Sequence, residues 1–197
     1  MTRFISKGLQ SGGSAFIEPR PSFFSLEPRE ASILAQARSL IDWHARYRFC
    51  PACGSPQKTT ESGYKKECDQ EECIGHQGPQ SFSYPRTDPV VITLVISPDG
   101  QKCLLGRAGR YVSGMYSCLA GFLEPGESME EAARREVWEE SNIKVGAIHY
   151  HTSQPWPFPS QLMYASDDKI HVPRLGCFGE ALAEGPINLQ DKVISSY

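Results

Sequence analysis

The chain has 197 residues, 40% hydrophobic and 22% charged, which fits one ordinary domain with a real core and a small appendage. Its 20 Lys and Arg against 23 Asp and Glu leave a net charge of −3, which speaks against a general polyanion binder. No apolar run approaches the ~20 residues of a membrane span, and Met1-Thr2-Arg3-Phe4 opens no secretory signal, so neither membrane nor export is expected.

Residues 1–27 are punctuated by Gly8, Gly12, Gly13, Pro19 and Pro21 and read as a loop or tail. Pro28 suits the first turn of a helix. Ile33, Leu34, Ala37, Leu40, Ile41 and His44 then recur at helical spacing, with Trp43 and Tyr47 beside them. This predicts an amphipathic helix that packs on something. Tail and helix make a first segment, 1–48. Residues 49–84 form a second unit, short, turn-rich and polar. From 85 to 197 the character changes again. Residues 90–96 read as a buried strand, 98–100 as a turn, 102–106 as a return strand and 117–120 as a further short strand. A Gly-rich turn, a helix over 129–141 and a strand near 145–150 follow. Strands alternating with a helix predict an α/β or α+β domain.

The chain has seven cysteines, four of them between positions 50 and 73. An odd count favours a reducing compartment and a metal site over a disulfide scaffold. Cys50 and Cys53 lie at C-x2-C spacing, Cys68 and Cys73 at C-x4-C spacing, and four thiolates so placed can wrap a Zn²⁺ tetrahedrally. Pro51 and Gly54 suit the tight knuckle that turns amides toward the sulfurs. His76 is the alternative fourth ligand. A unit this small and polar depends on the metal for its stability, and with four protein ligands the site is structural. Cys103, Cys118 and Cys177 read as small core residues.

The acidic stretch after Gly121 carries the chemistry. Ser128 and Glu131 form a capping box. At 100° per residue, Met129, Ala132, Ala133, Glu136, Glu140 and Ile143 share one stripe, so two carboxylates fall on the core-facing side, with Glu139 flanking them. Burying like charges together is expensive unless a cation neutralises them. Hard oxygen ligands select Mg²⁺ or Mn²⁺, which bridge to substrate phosphates. Glu127 is expected to pair with Arg135 and hold the loop.

Gly121, Glu127, Arg135-Glu136-Val137 and Glu139-Glu140, at this spacing, resemble the Nudix box. Asn142 stands where the box usually has Gly, and Asn is the next-best residue for a left-handed helix cap. Ser153-Gln154-Pro155-Trp156-Pro157-Phe158-Pro159-Ser160 resembles the element that marks NADH pyrophosphatases among Nudix hydrolases. The cysteine quartet, Tyr84-Pro85-Arg86 and Leu119-Ala120-Gly121-Phe122 are similar to that family too, closest to its animal peroxisomal members. The resemblance covers residues 28–163.

It implies a Nudix α/β/α sandwich with a mixed sheet over 85–197, preceded by a small zinc ribbon over 49–84. It implies hydrolysis of the pyrophosphate of NADH or NAD⁺ to nicotinamide mononucleotide and AMP, and in some members removal of NAD caps from RNA. Glu136, Glu139 and Glu140, with the Ala120 carbonyl, are expected to hold Mg²⁺ or Mn²⁺. Glu139 is the first choice for the general base and Glu136 the second. Tyr84, Ala120, Gly121, Phe122 and the residues Gln154, Pro155, Trp156, Pro157, Phe158, Pro159 and Ser160 are expected to line the nucleotide pocket. The resemblance also implies a homodimer and a cytoplasmic or peroxisomal location, although Ser195-Ser196-Tyr197 is not a Ser-Lys-Leu-type address.

The C-terminal part departs from the family. Residues 164–175 read as an interposed polar stretch, 176–182 as a delayed strand and 186–192 as the next strand. Val193-Ile194-Ser195-Ser196-Tyr197 then stands where an acidic run would supply another metal ligand. The alternative expectation is therefore a weakly active, truncated isoform that dimerises with the full-length enzyme and modulates it.

Overall fold

A computed structural model describes residues 25–78, 82–109, 111 and 113–170. Helix α1 spans Pro28–Arg46, with Pro28 at its start. Strands β1 (Gln57–Thr60), β2 (Lys65–Cys68) and β3 (Phe82–Ser83) follow, then β4 (Asp88–Ile96), β5 (Cys103–Leu104) and β6 (Leu119–Phe122). Helix α2 spans Met129–Ser141, and β7 (Val145–Trp156) and β8 (Gln161–Ile170) complete the described elements.

The first three strands make a small antiparallel sheet in the order β1-β2-β3. The larger sheet is mixed: β5-β4-β8-β7, with β6 also paired to β4. β4 runs parallel to β8 and antiparallel to β5 and β6. A nine-residue strand with apolar residues on both faces suits this central position, because partners flank it along both edges.

Helix α2 covers one face of the large sheet. Val95, Leu104, Leu119 and Val137 form one buried cluster, and Val91, Ala132 and Ala133 a second. Each fully buried Val or Leu contributes about 1.5–3 kcal/mol, and the two alanines let the helix sit close to the strands. Val137 is fully buried and belongs to the core stripe at the centre of α2. The sequence reading left it off that stripe, and Glu136 and Glu140 flank it. The ends of α2 are as expected: Ser128 and Glu131 make a reciprocal capping box, and Asn142 closes the helix in the left-handed conformation at φ 56°.

Three expectations change. In α1 the apolar residues Ile33 and Ile41 are more than 60% exposed, and the helix is anchored instead at Trp43, which is 2% exposed. The strand expected over 145–150 continues to Trp156, into the Pro-rich element. The polar stretch expected to begin at Tyr164 is strand as far as Ile170, in unbroken register with β4 from Asp88↔Gln161 to Ile96↔Lys169. Ladder hydrogen bonds to β4 and β7 on both sides outweigh the polar side chains there. The tail before residue 25 and the strands expected over 176–182 and 186–192 lie outside the described residues. Among the described residues no helix is long and apolar enough to cross a membrane.

Candidate active site

Glu136 and Glu140 of α2 stand against β6. Register with β4 (Val91↔Gly121, Ile92↔Ala120) fixes the β6 backbone, and Gly121 lies directly under Glu136. A Cβ at position 121 would fall 1.9 Å from Glu136 Cδ and 2.1 Å from both its oxygens. The missing side chain therefore makes the space in which the Glu136 carboxylate sits.

Arg135 organises the remainder. Its Nε and one terminal nitrogen donate to Glu127 at 2.6 and 2.9 Å, the pairing expected from sequence. The other terminal nitrogen donates to Glu136 at 2.7 Å and to Glu139 at 3.3 Å, and a bond to the Phe122 carbonyl at 2.9 Å ties the helix to β6. Glu127 also accepts from the Glu124 N–H at 3.0 Å, which closes the loop before α2. The Arg135 guanidinium and that N–H hold the Glu127 carboxyl down to about 2.

Among the described residues no such cation pairs with Glu140. Burial, and then repulsion from Glu136 and Glu139, push its carboxyl above the ordinary range, against the Ala120 N–H that favours its charged form. A partly buried carboxylate with two acidic neighbours is a place where a divalent cation is favourable. The donor set fits a hard ion. Glu139 is the most open of the three that were expected to act, with its side chain 52% exposed.

A groove of about 780 Å³ opens elsewhere, between α1 and the turn joining β7 to β8. Gln154, Pro155, Trp156, Pro157, Phe158 and Ser160 line it, facing Ala31, Ala35 and Ser39 of α1. Tyr84, Ala120, Gly121, Phe122 and Pro159 are not among its lining residues. The expected pocket residues thus fall into two groups, one around Gly121 and Glu136 and one along the Pro-rich turn. Tyr84 and Phe122 are both more than half exposed, and Tyr84 meets Phe82 edge-on at 5.6 Å.

The cysteine quartet comes together. The sulfurs of Cys50, Cys53, Cys68 and Cys73 all lie within 4.8 Å of one another, with Cys50–Cys73 at 3.7 Å and Cys53–Cys68 at 3.6 Å. Four thiolates ~2.3 Å from a tetrahedral zinc have their sulfurs ~3.8 Å apart, so this set fits the ion. Gly54 takes a positive φ of 75° in the first knuckle, where its N–H donates to the Cys50 carbonyl. Gly75 N–H donates to Cys73 Sγ at 3.4 Å. The Ser55 amide and hydroxyl bond Cys53 and hold its thiol down to about 6. His76 is exposed and outside the cluster.

Residues 86–192 match the NUDIX domain. The chain belongs to the Nudix family. Among its relatives is the NAD-capped RNA hydrolase NUDT12 of Homo sapiens, 56% identical over 145 residues, which cover 74% of this chain and 31% of that one. The NAD-capped RNA hydrolase of Schizosaccharomyces pombe is 43% identical over 186 residues, covering 90% and 46%. The mitochondrial NAD(P)H pyrophosphatase NUDT13 of Homo sapiens is 44% identical over 146 residues, covering 74% and 39%. The chain thus spans less than half the length of each of these relatives.

Within the Nudix box, sequence reasoning missed how far Arg135 reaches. Its contact with Glu139 has i,i+4 spacing, which is legible in a helix. The contact with the Phe122 carbonyl is not, because it crosses from helix to strand. Two further residues gave no signal. Arg38 Nε donates to the Pro157 carbonyl at 2.7 Å, and Ser39 Oγ to the Pro159 carbonyl at 3.1 Å, across separations of 119 and 120 residues.

Proposed function

We propose that the chain hydrolyses the pyrophosphate bond of NADH or NAD⁺ to nicotinamide mononucleotide and AMP, and removes NAD caps from RNA by the same cleavage. The observation that carries this reading is the arrangement of Glu136 over Gly121 beside the partly buried Glu140. The relatives' names, NAD-capped RNA hydrolase and NAD(P)H pyrophosphatase, support the substrate class.

Glu136 and Glu140, with Glu139 and the Ala120 carbonyl, would hold Mg²⁺ or Mn²⁺. Such an ion, when bound, neutralises phosphate charge and makes a bound water more acidic. The protein's own part is positioning. Arg135 orients Glu136 and Glu139, and Glu127 holds Arg135 in place. Glu139, the exposed member, accepts a proton from the attacking water; oxygen adds to one phosphorus as the bridging P–O bond breaks, and the other phosphate leaves. Phe122 and Tyr84 offer exposed aromatic faces to a base. The residues of the Pro-rich turn, Gln154 to Ser160, complete the pocket. Zn²⁺ in the cysteine quartet is structural. The three segments 1–48, 49–84 and 85–197, a homodimeric assembly and a cytoplasmic or peroxisomal location complete this reading. No observation favours the modulating isoform as a second one.

The test is AMP release from NADH with Mg²⁺ or Mn²⁺, with Glu140→Gln as control. Release that is lost in the variant is the expected result. A folded, zinc-loaded chain that releases no AMP overturns the proposal.

A further inference from the structure

Strand β7 ends at Trp156, and the chain turns through Pro155-Trp156-Pro157-Phe158-Pro159 to enter β8. Three of these five residues are proline and have no N–H, so the turn can do little to satisfy its own carbonyls. Within the turn the Phe158 N–H donates to the Trp156 carbonyl at 2.8 Å; the donors to the Pro157, Pro159 and Ser160 carbonyls come from other elements. Arg38 Nε reaches the Pro157 carbonyl at 2.7 Å, Ser39 Oγ the Pro159 carbonyl at 3.1 Å, and the Asp88 N–H the Ser160 carbonyl at 2.8 Å. The Arg38 guanidinium also stands 5.3 Å from the centre of the Phe158 ring, and Phe158 packs edge-on against Trp156 at 5.2 Å. One part-buried cation thus grips both the backbone and the aromatic face of the turn. The small residues Ala31 and Ala35, on the same helix, leave open the groove that this turn lines.

The helix that carries Arg38 is itself held at its far end. Lys66 of β2, 3% exposed, donates to the His44 carbonyl at 3.1 Å and to the Tyr47 carbonyl, with its ammonium 4.9 Å from the Trp43 ring centre. Lys66 lies two residues before Cys68, so the cysteine-rich unit sets where α1 sits. α1 in turn sets the turn.

We infer that Arg38 is a positioning residue for the substrate groove: it fixes the Trp156–Ser160 turn against α1 and so determines how tightly the dinucleotide is held. This rests on the proposed reading of the site. Among the described residues Arg38 makes no hydrogen bond or ion pair with an α2 carboxylate, so its loss acts on binding and leaves the chemical step alone. Losing one charge-assisted hydrogen bond and its aromatic contact corresponds to a KM for NADH raised about tenfold, with kcat changed less than about twofold. Arg38→Lys keeps a cation within reach of Phe158 and recovers part of the loss.

The experiment measures kcat and KM for NADH in the full chain, for wild type, Arg38→Ala and Arg38→Lys. Amide hydrogen exchange over residues 156–163 and over α2 is followed in parallel. The expected result is a raised KM, partial rescue by lysine, and faster exchange confined to the turn. A KM unchanged in Arg38→Ala, or a fall in kcat alone, overturns the inference while the reading of the site stands. Faster exchange across α2 as well shows general destabilisation and also overturns it. A wild-type chain that neither binds nor cleaves NADH overturns the reading of the site, and the inference falls with it.

Discussion

Gly121 is where a single atom decides whether the acidic site can form. A Cβ there would occupy the position of the Glu136 carboxyl group. That group ends a flexible side chain, so Gly121→Ala displaces it without breaking the core. A displacement of about 1 Å in a catalytic group costs on the order of 100-fold in rate. On the proposed reading of the site, the expected outcome is a fall of that size in NADH hydrolysis, with thermal stability close to wild type. Glu127 has a different role, and pH reveals it. Its folded-state carboxyl is held down to about 2 by Arg135 and the Glu124 N–H, whereas an unfolded glutamate titrates near ~4.3. A depressed carboxylate stabilises the fold above the unfolded pKa and loses that contribution as pH falls toward the folded one. Glu127→Gln should therefore melt at a lower temperature than wild type at pH 7. The gap should narrow from about pH 4.5 downward and close near pH 2. A gap of constant size across that range would show that the pair contributes nothing through its charge.

Individual elements differ in where their stability comes from. Helix α2 has its own instructions: a capping box at one end, a left-handed Asn142 at the other and a buried stripe between them. It needs little from outside to know where to start and stop. The cysteine-rich unit has almost no core, since its buried cluster is Cys50, Cys68 and Cys73. Binding energy for a structural zinc is of the order of about 10–16 kcal/mol and appears as folding energy. Chelation, or Cys68→Ser, should abolish zinc content and unfold β1 and β2. The unfolding should pass to α1, whose C-terminal carbonyls are bonded by Lys66. Circular dichroism with and without chelator checks this: helix should be lost along with the ribbon. Loss of zinc with α1 intact would show that Trp43 and the Pro-rich turn suffice to hold the helix.

At the scale of the whole molecule, the two sets of proposed substrate residues are built by different means. The set around Gly121 arises within one strand–loop–helix unit, where β6 and α2 are neighbours in sequence. The set along the Pro-rich turn depends on α1, more than 100 residues away. The sequence by itself determined the first: glycine, capping box and carboxylates sit at spacings that a helix converts directly into positions. It determined the cysteine quartet for the same reason, because tight knuckles bring the members of C-x2-C and C-x4-C together locally. It also determined the existence and limits of α2. Tertiary structure alone decided the rest. The polar residues 164–170 became strand because β4 and β7 offered ladder bonds on both sides. Ile33 and Ile41 of α1 stayed exposed because the helix is held at Trp43 and Arg38 instead of along its length. Arg135 reached the Phe122 carbonyl, and Arg38 the Pro157 carbonyl, because packing brought distant chain segments within hydrogen-bond range. Periodicity reports which side of an element faces inward. It carries no record of what a long side chain finds when it arrives there.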